Sequence, residues 1–362
     1  MFQFTYSSTG YLYTEPNSSQ AKKYPLLVDA TNKLYLSQIN PVPLVNFKPA
    51  DGWPQSNEPE EHLDDIKTLI STQINPSSIL AFSYKDISLA KRISPEIPDI
   101  LFDSSHGLIP YPVEDSLDLL STLTTSLDKT TSRYDLIICR HFIEHANNPL
   151  DILLLLKQFS HKDTLVYLEV PDCGKFIQCG NPLFLWEHHR SYFTYDSFLT
   201  FLQSAGCLPS WYKSFGTSIE PSLCTLFSFS DLTTLCHQHV QHNSHAIDES
   251  DFTYFINAWQ SWFESHCYST VIGYGVGHNF DRFLQFTSSY DYFHFMIDAS
   301  ESKSGLYLAN SSLPIQSHFE SSNPDSLVFV LGVHDRHSLS ASQYLMTKYP
   351  SAKCFSIFGL PC

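Results

Sequence analysis

At 362 residues the chain exceeds the usual size of one compact domain, and 43% hydrophobic, 14% aromatic and 16% charged residues make a folded protein, not a disordered one. A formal charge of −16 argues against a nucleic-acid partner, which is met with excess Lys and Arg, and leaves small-molecule ligands as the expected partners. No run of eighteen apolar residues offers a membrane span, and Met1 to Tyr6 lacks the basic start and apolar stretch of a secretory signal, so no membrane partner and a cytoplasmic location are the expectations.

Residues 1–57 are rich in Tyr, Ser, Pro and Asn, with β-like runs at Tyr24 to Val28 and Lys33 to Leu36, and read as a small β unit. From Glu58 to Ile74, Leu63, Ile66, Leu69 and Ile70 recur at helical spacing. Residues 58–210 then alternate strand and helix. Strands are expected at Ser78 to Phe82, Pro98 to Asp103, Tyr134 to Cys139 and Thr164 to Val170. Helices are expected at Ser88 to Ile93, Leu150 to Phe159 and Tyr195 to Ala205, the last closed by Gly206. This is an α/β plan with a Rossmann-like doubly wound sheet. Residues 211–265 read as a mainly helical connector with Phe255, Trp259 and Trp262 on one face. Residues 266–362 restart the alternation with Ser269 to Gly277 and His294 to Asp298, a second Rossmann-like unit.

The run Tyr134-Asp135-Leu136-Ile137-Ile138-Cys139-Arg140-His141-Phe142-Ile143-Glu144-His145 ends a strand with His-x-x-Glu-His. It is followed by Glu169-Val170-Pro171-Asp172 and by Trp186-Glu187-His188-His189-Arg190-Ser191-Tyr192-Phe193-Thr194. In this order the segments resemble class I S-adenosylmethionine-dependent methyltransferases of the nucleotide-sugar C-methyltransferase type. The resemblance implies a methyltransferase that acts on a carbon of a nucleotide-linked keto-sugar or similar metabolite. It implies His189 as the base, Glu187, His188 and Tyr192 around it, and His141 and His145 lining the cleft. A histidine suits the task because it titrates near neutrality and can remove the proton beside a carbonyl before the carbon attacks a sulfonium methyl.

In that family a glycine-rich loop follows the first strand, because glycine lets the backbone approach the cofactor closely. Here the aligned loop is Ser83-Tyr84-Lys85-Asp86, without glycine. The resemblance puts these four residues, with Asp103 after the second strand and Arg140, at S-adenosylmethionine. The alternative is a descendant that has lost the cofactor and serves as a binding or assembly subunit or performs different chemistry. The family's N-terminal four-cysteine zinc module is absent, since the nine cysteines begin at Cys139. They show no paired spacing, read as reduced thiols, and no metal site is expected.

Gly273-Tyr274-Gly275-Val276-Gly277-His278 at a strand-to-helix turn, with Asp298 about twenty residues on, has the layout of a dinucleotide fingerprint. The pattern leaves three possibilities open: a nicotinamide cofactor, tight packing only, or the family's C-terminal domain. In the last, Asp298, Lys303, Gly305, Pro314 and Ile315 match the motif. Trp186, Gly275, Gly277, His278 and Asp298 are then expected at the substrate.

Overall fold

A computed structural model describes residues 60–95, 99–102, 133–146, 149–185, 189, 191–216, 221–229, 249–308, 310–320 and 326–361, and the backbone of 2–7, 23–29 and 35–37. Asp103, Trp186, Glu187 and His188 lie outside the described residues. So does the side chain of Tyr84.

The central sheet is built from β4 (Ile79–Ser83), β5 (Asp99–Phe102), β6 (Tyr134–Arg140), β7 (Ser160–Pro171), β9 (Cys207–Phe215) and β10 (Ser222–Phe229), in the order β5-β4-β6-β7-β10-β9. The first four run parallel, and β10 is antiparallel to both of its neighbours. The parallel strands are near-continuous apolar runs because helices cover both faces: all five residues of β4 are buried, as are the last five of β6. Helices α1 (Leu63–Gln73) and α2 (Ile87–Ile93) pack with Leu136, Ile138 and Leu226 in one cluster. Helices α3 (Pro149–Gln158) and α5 (Tyr195–Ser204), which flank the short α4 (Gly174–Gln178) in the chain, pack in another with Ile137, Val166 and Phe227. A reciprocal Thr194 and Ser197 capping box starts α5, and Gly206, at φ 72°, follows its end.

Residues 211–265 depart from the expected connector. They carry most of β9 and all of β10 before helix α6 (Glu249–Ser265) begins. The first six residues of β10 are all buried between two neighbouring strands, so the sequence shows no alternation that would mark a strand.

Strands β1 (Phe2–Ser7), β2 (Lys23–Asp29) and β3 (Tyr35–Ser37) form an antiparallel sheet completed by β8 (Ser191–Tyr192), with Tyr35 opposite Tyr192 and Leu36 opposite Ser191. The N-terminal strands are thus stitched to the segment that carries His189.

A second, all-parallel sheet has the order β13-β12-β11-β14-β15, from β11 (Thr270–Tyr274), β12 (Phe295–Ile297), β13 (Ile315–Gln316), β14 (Leu327–Leu331) and β15 (Lys353–Ser356). Helices α7 (His278–Thr287) and α8 (Asp335–Lys348) follow β11 and β14. Helix α6 buries Phe255, Trp259 and Trp262 as the spacing predicts, and the Trp259 indole N–H donates to Gly359 O at 3.0 Å. Among the described residues no helix is long and apolar enough to cross a membrane.

Candidate functional site

In a doubly wound sheet, ligands bind outside the carboxyl ends of the strands where the winding reverses. In the central sheet that point is the carboxyl edge of β4 and β6, where the chain turns through Ser83 to Asp86 and through His141 to His145. The parallel register sets Arg140 opposite Glu169, and the antiparallel register sets Cys224 on the other side of Glu169. Both charges are fully buried. The Arg140 guanidinium donates from Nε to Glu169 Oε2 at 2.6 Å and from Nη1 to Lys85 O at 3.1 Å. Tyr167 OH donates to Glu169 Oε2 at 3.0 Å, while His141 Nε2 at 2.9 Å and His62 Nε2 at 3.2 Å meet Oε1. Burial alone would raise the Glu169 carboxyl, but Arg140 and His141 outweigh it and hold the group well below the ordinary carboxylate range. Burial likewise pushes the Tyr167 phenol and the Cys224 thiol well up, so both keep their protons.

The turn after β4 is tied to this knot. Ser83 and Asp86 are fully buried. Asp86 accepts from the backbone N–H of Ser83 at 2.6 Å and of Arg140 at 2.7 Å, so it acts as a strut between the ends of β4 and β6. The Lys85 ammonium, only partly buried, donates to His141 O at 2.7 Å. His141 has φ 47°, a left-handed conformation that a non-glycine residue adopts at a cost of about 1–3 kcal/mol. Its backbone is held there from both sides, by Lys85 at the carbonyl and by Glu169 O at the N–H.

Burial pushes Asp86 up to about 7 against the pull of the Ser83 N–H and the Arg140 guanidinium. Its folded pKa therefore lies above an unfolded value near ~3.9. The contribution to stability is complete below about pH 4 and is lost as pH rises through the folded value. We expect the unfolding free energy of the wild type minus that of Asp86→Asn to fall by about 2 kcal/mol between about pH 5 and about pH 6.5. Urea unfolding at the two pH values measures it; a constant difference would remove Asp86 as the titrating group.

Beyond β6, one turn of 3-10 helix, Ile143–His145, buries Glu144 and His145, which are 1% and 2% exposed. His145 Nε2 and His141 Nδ1 each lie 3.8 Å from Glu144 Oε1. The segment before β8 brings the partly buried His189 edge-on to His145, with ring centroids 4.7 Å apart and planes at 77°. The buried Tyr192 ring follows 6.1 Å from His189. The structure thus gathers His141, His145, His189 and Tyr192 near the end of β6, beside the turn of Ser83 to Asp86. Arg140 faces inward, its guanidinium donating to Glu169 and to Lys85 O.

The second sheet lies apart in sequence but is linked to this segment: Arg282 of α7, buried, donates from Nη1 to Leu185 O at 3.2 Å, four residues before His189. At its own switch point between β11 and β14, Gly275 has φ 80°. A Cβ there would stand 2.3 Å from Val333 Cγ1 and 2.8 Å from Val333 N. Packing therefore accounts for Gly275 without a ligand, whereas a Cβ on Gly277 would meet nothing within 4 Å. The Asp298 carboxylate is engaged by Lys303 Nζ at 2.7 Å and by the Ser300 N–H at 2.9 Å. His278 opens α7. Gly275→Ala is expected to destabilise the protein by about 2–4 kcal/mol, from left-handed strain plus a backbone clash. Thermal unfolding reads it, with Gly277→Ala as the milder companion.

No family model and no curated protein matches the chain. Solved structures with a related chain path include the Burkholderia thailandensis 1,6-didemethyltoxoflavin-N1-methyltransferase with bound 1,6-didemethyltoxoflavin and S-adenosylhomocysteine, at 11% identity and TM-score 0.33, covering 48% of this chain and 80% of that one. Magnesium protoporphyrin IX methyltransferase from Synechocystis PCC 6803 with bound S-adenosylmethionine is similar at 13% identity and TM-score 0.30, covering 47% and 79%. The N-terminal domain of EvdMO1, in the presence of S-adenosylhomocysteine and D-fucose, is similar at 13% identity and TM-score 0.31, covering 51% and 89%. Superpositions this loose leave the reading of function to the site itself.

Three residues of the site were not singled out from the sequence. Glu169 and Glu144 sit inside motifs that were legible, but nothing local marks a strand-end glutamate as buried. His62 precedes α1 and reaches Glu169 across 107 positions of sequence, a contact that no spacing rule signals.

Proposed function

We propose that the chain is an S-adenosylmethionine-dependent methyltransferase acting on a small molecule, with the acceptor seated against His189, Tyr192 and His145. The observation that carries this reading is the meeting of these side chains with Glu144 at the switch point of a Rossmann-like sheet. What supports a cofactor at this turn is the direct succession of strand, one turn and helix, with the partly buried Lys85, which also donates to His141 O, as the cation of the turn. Lys85 and Tyr84 are the residues of the turn that would hold it, with Asp103 at the ribose, while Ser83 and Asp86 keep the turn in shape. S-adenosylmethionine supplies an electrophilic methyl group on a sulfonium centre. His189 takes the proton from the acceptor, His145 packs edge-on to fix its ring, and Tyr192 closes the apolar side. On the resemblance to nucleotide-sugar C-methyltransferases, the acceptor is the carbon beside the carbonyl of a nucleotide-linked keto-sugar, oriented by Trp186 and by the Gly277 turn with His278.

Calorimetry of the full chain with S-adenosylmethionine tests the cofactor. One site per chain is the expected outcome; no heat at millimolar cofactor with the chain demonstrably folded would overturn the reading. A second reading, a non-methylating descendant, is favoured by one observation: the glycine-free turn commits Ser83 and Asp86 to the protein interior.

A further inference from the structure

The sequence led to no metal site, yet the arrangement beyond β6 has the chemistry of one. Glu144, His145 and His189 each offer one ligand atom, and the three atoms lie within 4.8 Å of one another. Two of the residues are buried and the third is partly buried. His141 stands beside this group, its Nδ1 3.8 Å from Glu144 Oε1 and its Nε2 2.9 Å from the Glu169 carboxylate, so its ring is held in the wall of the site.

We infer that Glu144, His145 and His189 bind one divalent transition-metal ion. A carboxylate with imidazoles and no thiolate suits ions such as Zn²⁺, Co²⁺ or Mn²⁺. Ligands about 2.0–2.2 Å from an ion stand roughly 3.3 Å from each other in a tetrahedron. The 3.8 Å between Glu144 Oε1 and His145 Nε2 is close to that spacing, and the His189 ligand atom lies within 4.8 Å of both. A cation at the centre stabilises every donor crowded into this buried spot.

A second cluster of the same reach, His62, Glu169 and Cys224, is different in kind. There Arg140, Tyr167 and His141 already occupy both Glu169 oxygens, and burial keeps the Cys224 thiol protonated. It is a structural knot.

The metal site stands whether or not the chain transfers methyl groups. With an ion bound, the His189 lone pair would be committed to it, so ligation and proton removal are alternative roles for this side chain, and three protein ligands would leave a coordination position open to an acceptor oxygen.

The test uses the full chain, stripped with a chelator and titrated with Co²⁺ by visible absorption and with Zn²⁺ by calorimetry. One ion per chain is expected, with Co²⁺ bands of a nitrogen and oxygen site. His145→Ala and His189→Ala should each weaken Zn²⁺ binding at least about tenfold. His337→Ala, on the exposed face of α8, should leave it unchanged. Circular dichroism establishes that each variant is folded, and His189→Ala alone suffices if the buried His145 variant is not. Failure of the folded wild type to bind either ion stoichiometrically would overturn the inference. Equal affinity in wild type and His189→Ala would overturn it too.

Discussion

Replacing Arg140 with Met is expected to lower the unfolding free energy by about 3–5 kcal/mol, because it leaves the Glu169 carboxylate buried without its main counter-charge. Glu169 is fully buried and receives the guanidinium at 2.6 Å, so water cannot replace the lost partner. His141 and Tyr167 remain beside it as hydrogen-bond partners, but neither replaces the guanidinium charge. Removing both charges, as Arg140→Met with Glu169→Leu, should cost less than Arg140→Met alone, since an apolar pair carries no desolvation penalty. Urea unfolding of both singles and the double gives the coupling directly, and a coupling near zero would show that the two charges do not stabilise each other.

The same pair sets an acid limit. Glu169 has a folded pKa well below its unfolded value, so its contribution is present above about pH 4.3 and disappears as pH falls through the folded value. In Arg140→Met that pKa rises, and acid unfolding should start at a higher pH. Loss of the Arg140 contact to Lys85 O also loosens the turn after β4. Cofactor binding should weaken along with stability.

The second large effect is at His189. His189→Ala is expected to reduce turnover by about 10²–10⁴-fold while leaving the fold and S-adenosylmethionine affinity in place. The side chain is partly exposed and packs against the rings of His145 and Tyr192, so its loss opens little of the core. If His189 takes the proton itself, the variant loses the limb of the pH profile that reports the catalytic base. If it acts through a bound ion, the variant loses metal in step with activity. Full turnover in the variant would exclude both roles.

Much of this site was legible in the chain itself. The apolar runs of β4, β6 and β7 announce parallel strands. The motif from His141 to His145 falls directly after one of them, and ligand sites of wound sheets lie at such ends. His189 and Tyr192 were also within reach, as a second motif at a fixed separation. The roles of Ser83, Asp86 and Arg140 were not: local sequence makes them a polar loop and a strand end, and only the packing of β4 against β6 turns them into buried struts. Strand β10 stayed hidden because a strand buried between two neighbours lacks alternation, and its pairing with β7 is a contact between distant segments.

By itself, then, the sequence determined what depends on neighbours along the chain. It set the wound α/β plan, the caps of α5, the apolar face of α6 and the motifs beyond β6. The tertiary structure alone decided what depends on register and burial: Arg140 opposite Glu169, β3 against β8 beneath His189, Gly275 against Val333, and Glu144 among three imidazoles. Periodicity reports which face of an element is apolar, whereas a cross-strand pair is fixed by where two remote segments come to rest. The feature most open to new chemistry, a carboxylate ringed by histidines, belongs to the second kind.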